Sequence, residues 1–235
     1  MFTPVRTRRT FEEAAEQIAD GVRTGQLRVG DRLPGERSLA AQMEISRPTL
    51  REAIKVLVTA GVLEVRRGHE AGMYVATDVV PADLVRERFD MRRDEVSSVL
   101  EARRIVEPGV AKLAAQRASE SDLAALDRSI EAMRRIVDAG YGAGDEDRFL
   151  QLDVQFHLAL ARAAANPSVE RLMRMLFREL EIARDMAMHE PLVPEWTIAI
   201  HSETREAVAA GDLEAVAEVM DRHLGRLETT WAEDD

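Results

Sequence analysis

At 235 residues the chain has room for two modest domains or one large one, and 46% hydrophobic with 32% charged residues fits a globular core under a solvated surface. It has no cysteine, which excludes a disulfide framework, a zinc knuckle and a thiol nucleophile, and no run approaches the roughly 20 apolar residues that span a bilayer. The net charge of −11 is unevenly divided: residues 1–76 hold 12 Lys/Arg against 10 Asp/Glu, a balance of +2, and the remainder holds 20 against 33, or −13. That asymmetry points to a nucleic-acid-facing N-terminal part and an acidic remainder. The N-terminus, MFTPVRTRRTFEE, is basic but lacks the apolar stretch of a signal peptide, so a cytoplasmic location is expected.

In chain order, Thr10 can cap a helix running from Phe11 to about Thr24, with Glu12 and Glu13 in its first turn. Its apolar face is Phe11, Ala14, Ala15, Ile18, Ala19 and Val22. Gly25 ends it, and QLRVGDRLP reads as a loop. A second helix runs from Glu36 to about Met43, with Leu39, Ala40 and Met43 inward. Ser46 caps a third, which carries Pro48 in its first turn, where the missing N–H does no harm. Leu50, Ala53, Ile54 and Leu57 form its inward stripe, and Arg47, Arg51 and Lys55 lie on a different, basic face. Gly61 serves as its C-terminal cap. The alternation Leu63, Val65 and then Tyr74, Val75 predicts a small β-hairpin with a basic, glycine-containing tip. Helix, turn, helix and hairpin make a winged helix-turn-helix. Its arginines Arg37, Arg47 and Arg51 open helices, where a helix in the major groove faces base edges.

The segment LPGERSLAAQMEISRPTLREAIKVLVTAGVLEVRRG resembles the N-terminal domain of GntR-family transcription regulators, and the resemblance covers residues 10–76. It implies operator contacts from the arginine after the glutamate, the arginine after the serine and the arginine opening the R-E-A run. Those positions are Arg37, Arg47 and Arg51, and the wing tip corresponds to Arg67 and Gly68. Two positions depart from the family pattern. Gly35 stands where serine is usual, a cap change worth a few tenths of a kcal/mol. Glu70 stands in the wing where small or basic residues are usual.

Thr77 to Pro81 reads as a boundary, so the expected layout is a DNA-binding domain over 1–77, a linker and connecting helix over 78–93, and a helical bundle over 94–235. The connecting helix is expected from Asp83 to about Arg93. Candidate bundle helices are 94–117, 119–139, 145–165, 168–188, 194–210 and 212–230, punctuated by the glycine cluster at 140–144, Asn166–Pro167, Pro191 to Pro194 and Gly211–Asp212. With no strand pattern in this half, the fold class is mainly α: a winged helix-turn-helix followed by an all-α antiparallel bundle.

Polar residues on inward faces single out a site in the bundle. Asp153 and His157 are four apart and share a face with Leu150, Leu160, Ala161 and Ala164. His223 falls on a stripe with Val219, Met220 and Leu227, and His201 has Ile198 and Val208 on its face. Gly211 folds the last two helices into a hairpin. With His201 ten residues before that break and His223 twelve after it, helix rises of roughly 15 and 18 Å put both rings at nearly one height. Three imidazoles and one carboxylate can then meet, a donor set that suits zinc, nickel or a similar divalent ion. Arg103 shares a face with Val99, Leu100, Val106 and Val110, and an inward arginine needs an anion. That anion is either Glu107, one turn on, or the carboxylate of a ligand. Asn166 either caps the helix it follows in a left-handed conformation or reaches into a pocket. His69 and His189 are expected at the surface.

Residues 100–108 (LEARRIVEP), Asp153 to His157, ARAAANP at 161–167, His201 and GD at 211–212 through HL at 223–224 resemble the FCD domain of the FadR subfamily. That resemblance implies a divalent metal on Asp153, His157, His201 and His223, helping to hold a small carboxylate effector that Arg103 and Asn166 would contact. Together the two resemblances imply a homodimeric regulator, not an enzyme, on a palindromic DNA operator, with a small organic acid bound near zinc, nickel or manganese; it is read as a repressor, with activation as the open alternative. Two alternatives stay open: a direct metal sensor, and a metal-dependent hydrolase in which the same residues activate a water. Against the hydrolase, no second general base stands out, and the DNA-binding half would be idle.

Overall fold

The computed structural model describes residues 10–68, 71–81, 93–142, 145–187 and 193–233. The chain divides into two compact units, Met1–Leu84 and Val85–Asp235. The expected connecting helix and linker fall mostly outside the described residues, as do His69, Glu70 and His189.

The first unit holds α1 (Thr10–Arg23), α2 (Glu36–Gln42), α3 (Arg47–Thr59), β1 (Leu63–Arg66) and β2 (Gly72–Val75). Ile18, Leu50, Leu57, Leu63 and Val75 sit in one core, so the inward stripes of α1 and α3 meet under the hairpin. The strands pair antiparallel with Leu63 opposite Val75 and Val65 opposite Met73. Ser46 caps α3, its hydroxyl accepting from the Thr49 amide at 3.2 Å. Ser46→Ala is expected to destabilise this unit by about 1 kcal/mol, read as a lower urea midpoint with an unchanged slope. The other end of α3 closes in a Schellman turn. Gly61 takes φ +74°, its amide reaches the Val58 carbonyl at 3.1 Å, and the Val62 amide reaches the Leu57 carbonyl at 2.8 Å. That turn aims the chain into β1.

The segment QLRVGDRLP is more ordered than a plain loop. The Gly30 amide donates to the Val75 carbonyl and the Leu33 amide to the Met73 carbonyl, both at 2.9 Å, and Arg32 bridges Tyr74. It pairs the open edge of β2, satisfying backbone groups that a two-stranded ribbon leaves bare. Sequence periodicity misses this because three charged residues and a glycine interrupt any alternation. A buried ion pair was equally hidden: Arg23 Nη1 lies 3.2 Å from Glu16 Oε1 within α1, both side chains out of solvent.

The second unit is a helical bundle of α4 (Arg93–Arg117), α5 (Glu120–Asp138), α6 (Glu146–Ala163), α7 (Pro167–Ala187), α8 (Pro194–Ala210) and α9 (Leu213–Glu233). Each end lies within about two residues of the sequence expectation, except the far end of α9. Helix α6 is the centre, packed against α4, α5, α7 and α8. Phe149, Val154, Phe156, Leu158, Ala159 and Leu160 are all buried and cover most of its circumference. A helix with so broad an apolar face belongs inside, and that is why polar residues on α6 end up in the core. Gly211, at φ +67°, supplies the left-handed turn from α8 to α9, with the Asp212 amide bonded to the Ala207 carbonyl at 3.2 Å. Among the described residues, no helix is long and apolar enough to cross a membrane.

Candidate functional site

The arginines that the sequence singles out lie on α2, on α3 and on the hairpin of the first unit. Arg37, Arg47 and Arg51 are all exposed, as are Arg67 and Gly68 on the hairpin. Arg47 and Arg51 share one carboxylate that sequence reading did not single out: Glu36 Oε1 lies 3.4 Å from Arg47 Nε and 2.7 Å from Arg51 Nε. A half-exposed pair of this kind adds little stability. The closest approach is through Nε in both arginines. On the wing, Arg66 is occupied, lying 4.2 Å over the Tyr74 ring and paired with Glu64. Gly68 takes φ +85° at the turn, and Arg32 Nη2 donates to the Ala71 carbonyl at 2.7 Å, tying the hairpin to the segment before α2.

In the second unit, α6, α8 and α9 each deliver one histidine to the same place. His157, His201 and His223 are buried, and one ring nitrogen from each lies within 4.8 Å of the others. The imidazole centroids are 5.0 Å apart for His157 and His223 and 5.2 Å for the other two pairs. Asp153 stands beside them, its Oδ1 3.4 Å from His201 Nε2 and 4.0 Å from His157 Nε2. The hairpin turn at Gly211 therefore does place His201 and His223 at one height, and the four-residue spacing on α6 sets Asp153 next to His157.

The electrostatics suit neutral donors. Burial, and after it the neighbouring His157, pushes His201 and His223 well below the ordinary histidine value, so both are uncharged at pH 7. Both nitrogens of His157, both of His201 and Nδ1 of His223 are buried without a hydrogen-bond partner. Orphaned polar atoms in a core cost roughly 1–3 kcal/mol each, and native cores rarely tolerate several together. Lone pairs converging from three imidazoles, with a carboxylate at their side, are what a divalent metal takes up.

Each ring is also held by an aromatic neighbour. His201 stacks on Phe156 at 4.0 Å and 10°, His157 on Phe177 at 5.0 Å and 28°, and His223 tilts against Trp196 at 6.0 Å. Only α6 and its own Phe156 could have hinted at this, because Phe177 and Trp196 arrive from α7 and α8 through tertiary packing.

Arg103 on α4 is 3% exposed. Its Nε bonds to Glu107, its guanidinium lies 5.0 Å from the Phe177 ring centre, and its Nη2 is buried without a partner. The internal partner is therefore present, and a second donor is left over. Glu107 is fully buried and its other oxygen, Oε2, is 2.9 Å from His157 Nδ1. Burial alone would raise the Glu107 carboxyl, but Arg103 and then His157 outweigh it and hold it well below the usual carboxylate range. Asn166 is placed otherwise than as a left-handed cap. Its Oδ1 accepts from the Ser168 amide at 3.0 Å and the Val169 amide at 3.4 Å, so it caps the following helix, α7. The left-handed residue is Ala165, at φ +47°. The reason is Pro167, which disfavours helical dihedrals in the residue before it and suits that residue to an N-cap.

A helix-turn-helix with an arginine row and a hairpin wing, in a chain whose other unit is an all-helical bundle, defines a DNA-binding transcription regulator. The family described as bacterial regulatory proteins, gntR family, matches residues 10–75, and the FCD domain matches residues 98–226. The chain belongs to the GntR family of bacterial transcription regulators and carries an FCD domain, the pairing that marks the FadR subfamily. It is 31% identical over 232 residues to a putative L-lactate dehydrogenase operon regulatory protein of Escherichia coli, covering 95% of this chain and 86% of that one. It is 28% identical to the transcriptional regulator LutR of Bacillus subtilis, covering 88% of this chain and 94% of that one. Among solved structures, Streptococcus agalactiae GntR matches with a TM-score of 0.52 and 25% identity over 94% of this chain and 99% of that one. Escherichia coli McbR/YncC shares the fold, with a TM-score of 0.57 at 17% identity over 97% of this chain and all of that one. The matched domains and relatives are regulators of transcription, not enzymes.

Proposed function

We propose that the chain is a repressor whose operator affinity is set by a small organic acid bound beside a divalent metal in the FCD domain. The observation that carries this reading is the convergence of buried, unpartnered imidazole nitrogens next to Asp153. His157, His201, His223 and Asp153 would hold the metal. Zinc is the first choice for a nitrogen-rich set, with nickel and manganese as rivals. The metal supplies a fixed positive charge that a carboxylate oxygen can approach. Arg103, through its unpartnered Nη2, supplies a second point of attraction. Asn166, whose oxygen caps α7, would add a polar contact to the acid through its amide nitrogen.

Arg37, Arg47 and Arg51, with Arg67 and Gly68 on the wing, would contact the operator. A homodimer would set two α3 helices into successive major grooves of a palindrome. Such a regulator works in the cytoplasm, where the DNA is. One relative is named for an L-lactate dehydrogenase operon, so L-lactate is the first acid to test.

Metal content and thermal shift test the reading. Saturation at a hundred times Kd stabilises the folded state by about 2.7 kcal/mol. For a unit of about 150 residues that raises Tm by roughly 5–10 °C over the chelator-stripped protein. A purified protein with no bound divalent metal, and no Tm response to zinc, nickel or manganese, contradicts it.

A further inference from the structure

Arg103 is buried on α4 with one guanidinium nitrogen, Nη2, left without a partner. Arg103 is linked to one of the three histidines twice, each time through another side chain. Glu107 accepts from Arg103 Nε through Oε1 and lies 2.9 Å from His157 Nδ1 through Oε2. Phe177 has the guanidinium 5.0 Å from its ring centre and is also stacked on the His157 ring at 5.0 Å. Among the described residues, His157 has a carboxylate oxygen 2.9 Å from the nitrogen facing away from Asp153. The two atoms are at pairing distance without the alignment of a hydrogen bond, and neither nitrogen of His157 or His201, nor Nδ1 of His223, makes an aligned one.

We infer that Glu107 is a positioning residue that joins Arg103 and His157 into one unit, so that the charge at Arg103 sets how His157 meets a metal. The inference rests on the metal reading given above. A carboxylate beside the outer nitrogen favours the imidazole proton on that side, which leaves the Nε2 lone pair for a metal. Loss of such an outer partner typically weakens metal binding by about 10–100-fold. Arg103 in turn fixes the carboxylate, because a buried Glu107 without its cation would be an uncompensated charge. An anion arriving at Arg103 Nη2 would then be felt at His157 without touching it. The two binding events become linked, and each alters the affinity for the other by the same factor.

A double-variant cycle on the full chain tests this with Co2+ as the probe, titrated into stripped protein and followed by its ligand-field absorption. Glu107→Gln should weaken Co2+ binding by about 10–100-fold and shift the absorption band, with one metal per chain retained. Arg103→Met should also weaken it and shift the band, and the double variant should lose no more than Glu107→Gln alone. An Arg103→Met protein with wild-type affinity and spectrum, or losses that multiply in the double variant, overturns the inference. Either single variant leaves a buried charge unpaired and can fail to fold. The double variant leaves neither, so its comparison with wild type stands by itself: equal Co2+ affinity overturns the inference. A wild-type protein that binds no Co2+ defeats the metal reading and the inference together, whereas wild-type binding unchanged by the substitutions defeats the inference alone.

Discussion

His157→Ala is expected to empty the metal site while the bundle stays folded. The ring comes from the central helix, is 1% exposed, and is the member of the cluster that touches Glu107 as well as facing Asp153. Removing an inner ligand should cost more than the roughly 10–100-fold that loss of an outer partner costs. Truncating a buried ring also opens a cavity, a penalty of about 3 kcal/mol at the low end for ring-to-alanine changes. Part of that is offset, because a nitrogen without a partner leaves the core with it. Far-UV circular dichroism should therefore remain helical and Tm should fall. Metal analysis should drop from one ion per chain to near zero. Stoichiometric metal in a folded His157→Ala protein would remove His157 from the ligand set.

Arg47→Ala and Arg51→Ala carry the second large effect, at the other unit. Each should cost about 1–3 kcal/mol at the operator and relax base preference if it reads a base edge. A loss that is uniform across sequences would make the residue a phosphate contact instead. Glu36 sharpens this test, because it holds both side chains by Nε. Glu36→Gln takes a negative charge off the DNA-facing side and frees the two arginines. Binding to an unrelated duplex should rise, while the ratio of operator to unrelated affinity should fall. Titrations of both duplexes at several salt concentrations separate the two contributions. An unchanged ratio would mean that Glu36 does not orient the readers.

Much of this architecture is written locally in the chain. Ser46 and Pro48 announce the start of α3, Gly61 its end, and the period of Leu50, Ala53, Ile54 and Leu57 its buried face. All of these are interactions within a few residues of one another, which is why spacing reveals them. The site was half legible for the same reason. Asp153 and His157 share a helical turn, and the Gly211 hairpin brings His201 level with His223. What the sequence does not carry is partnership across helices. Glu107 is visible as a neighbour of Arg103, but its contact with His157, 50 residues on, depends on how α4 packs against α6. Phe177 and Trp196 look like ordinary core residues until α7 and α8 are laid against the histidines. Asn166 was ambiguous because one asparagine before a proline can close one helix or open the next. Only Ala165, turning left-handed in its place, decides between them.

On the function proposed above, an acid bound in the helical unit governs the grip of the other unit on DNA. Its most direct test is the affinity of the full-length protein for its operator, selected from random duplexes. Affinity is followed against zinc concentration, with and without L-lactate and then other short mono- and dicarboxylic acids. The expected result is little change with zinc alone and a fall of roughly 5–150-fold when zinc and the right acid are present together, the usual range of coupling between sites. Operator affinity that follows zinc alone, or that no acid alters with the metal site filled, would contradict it.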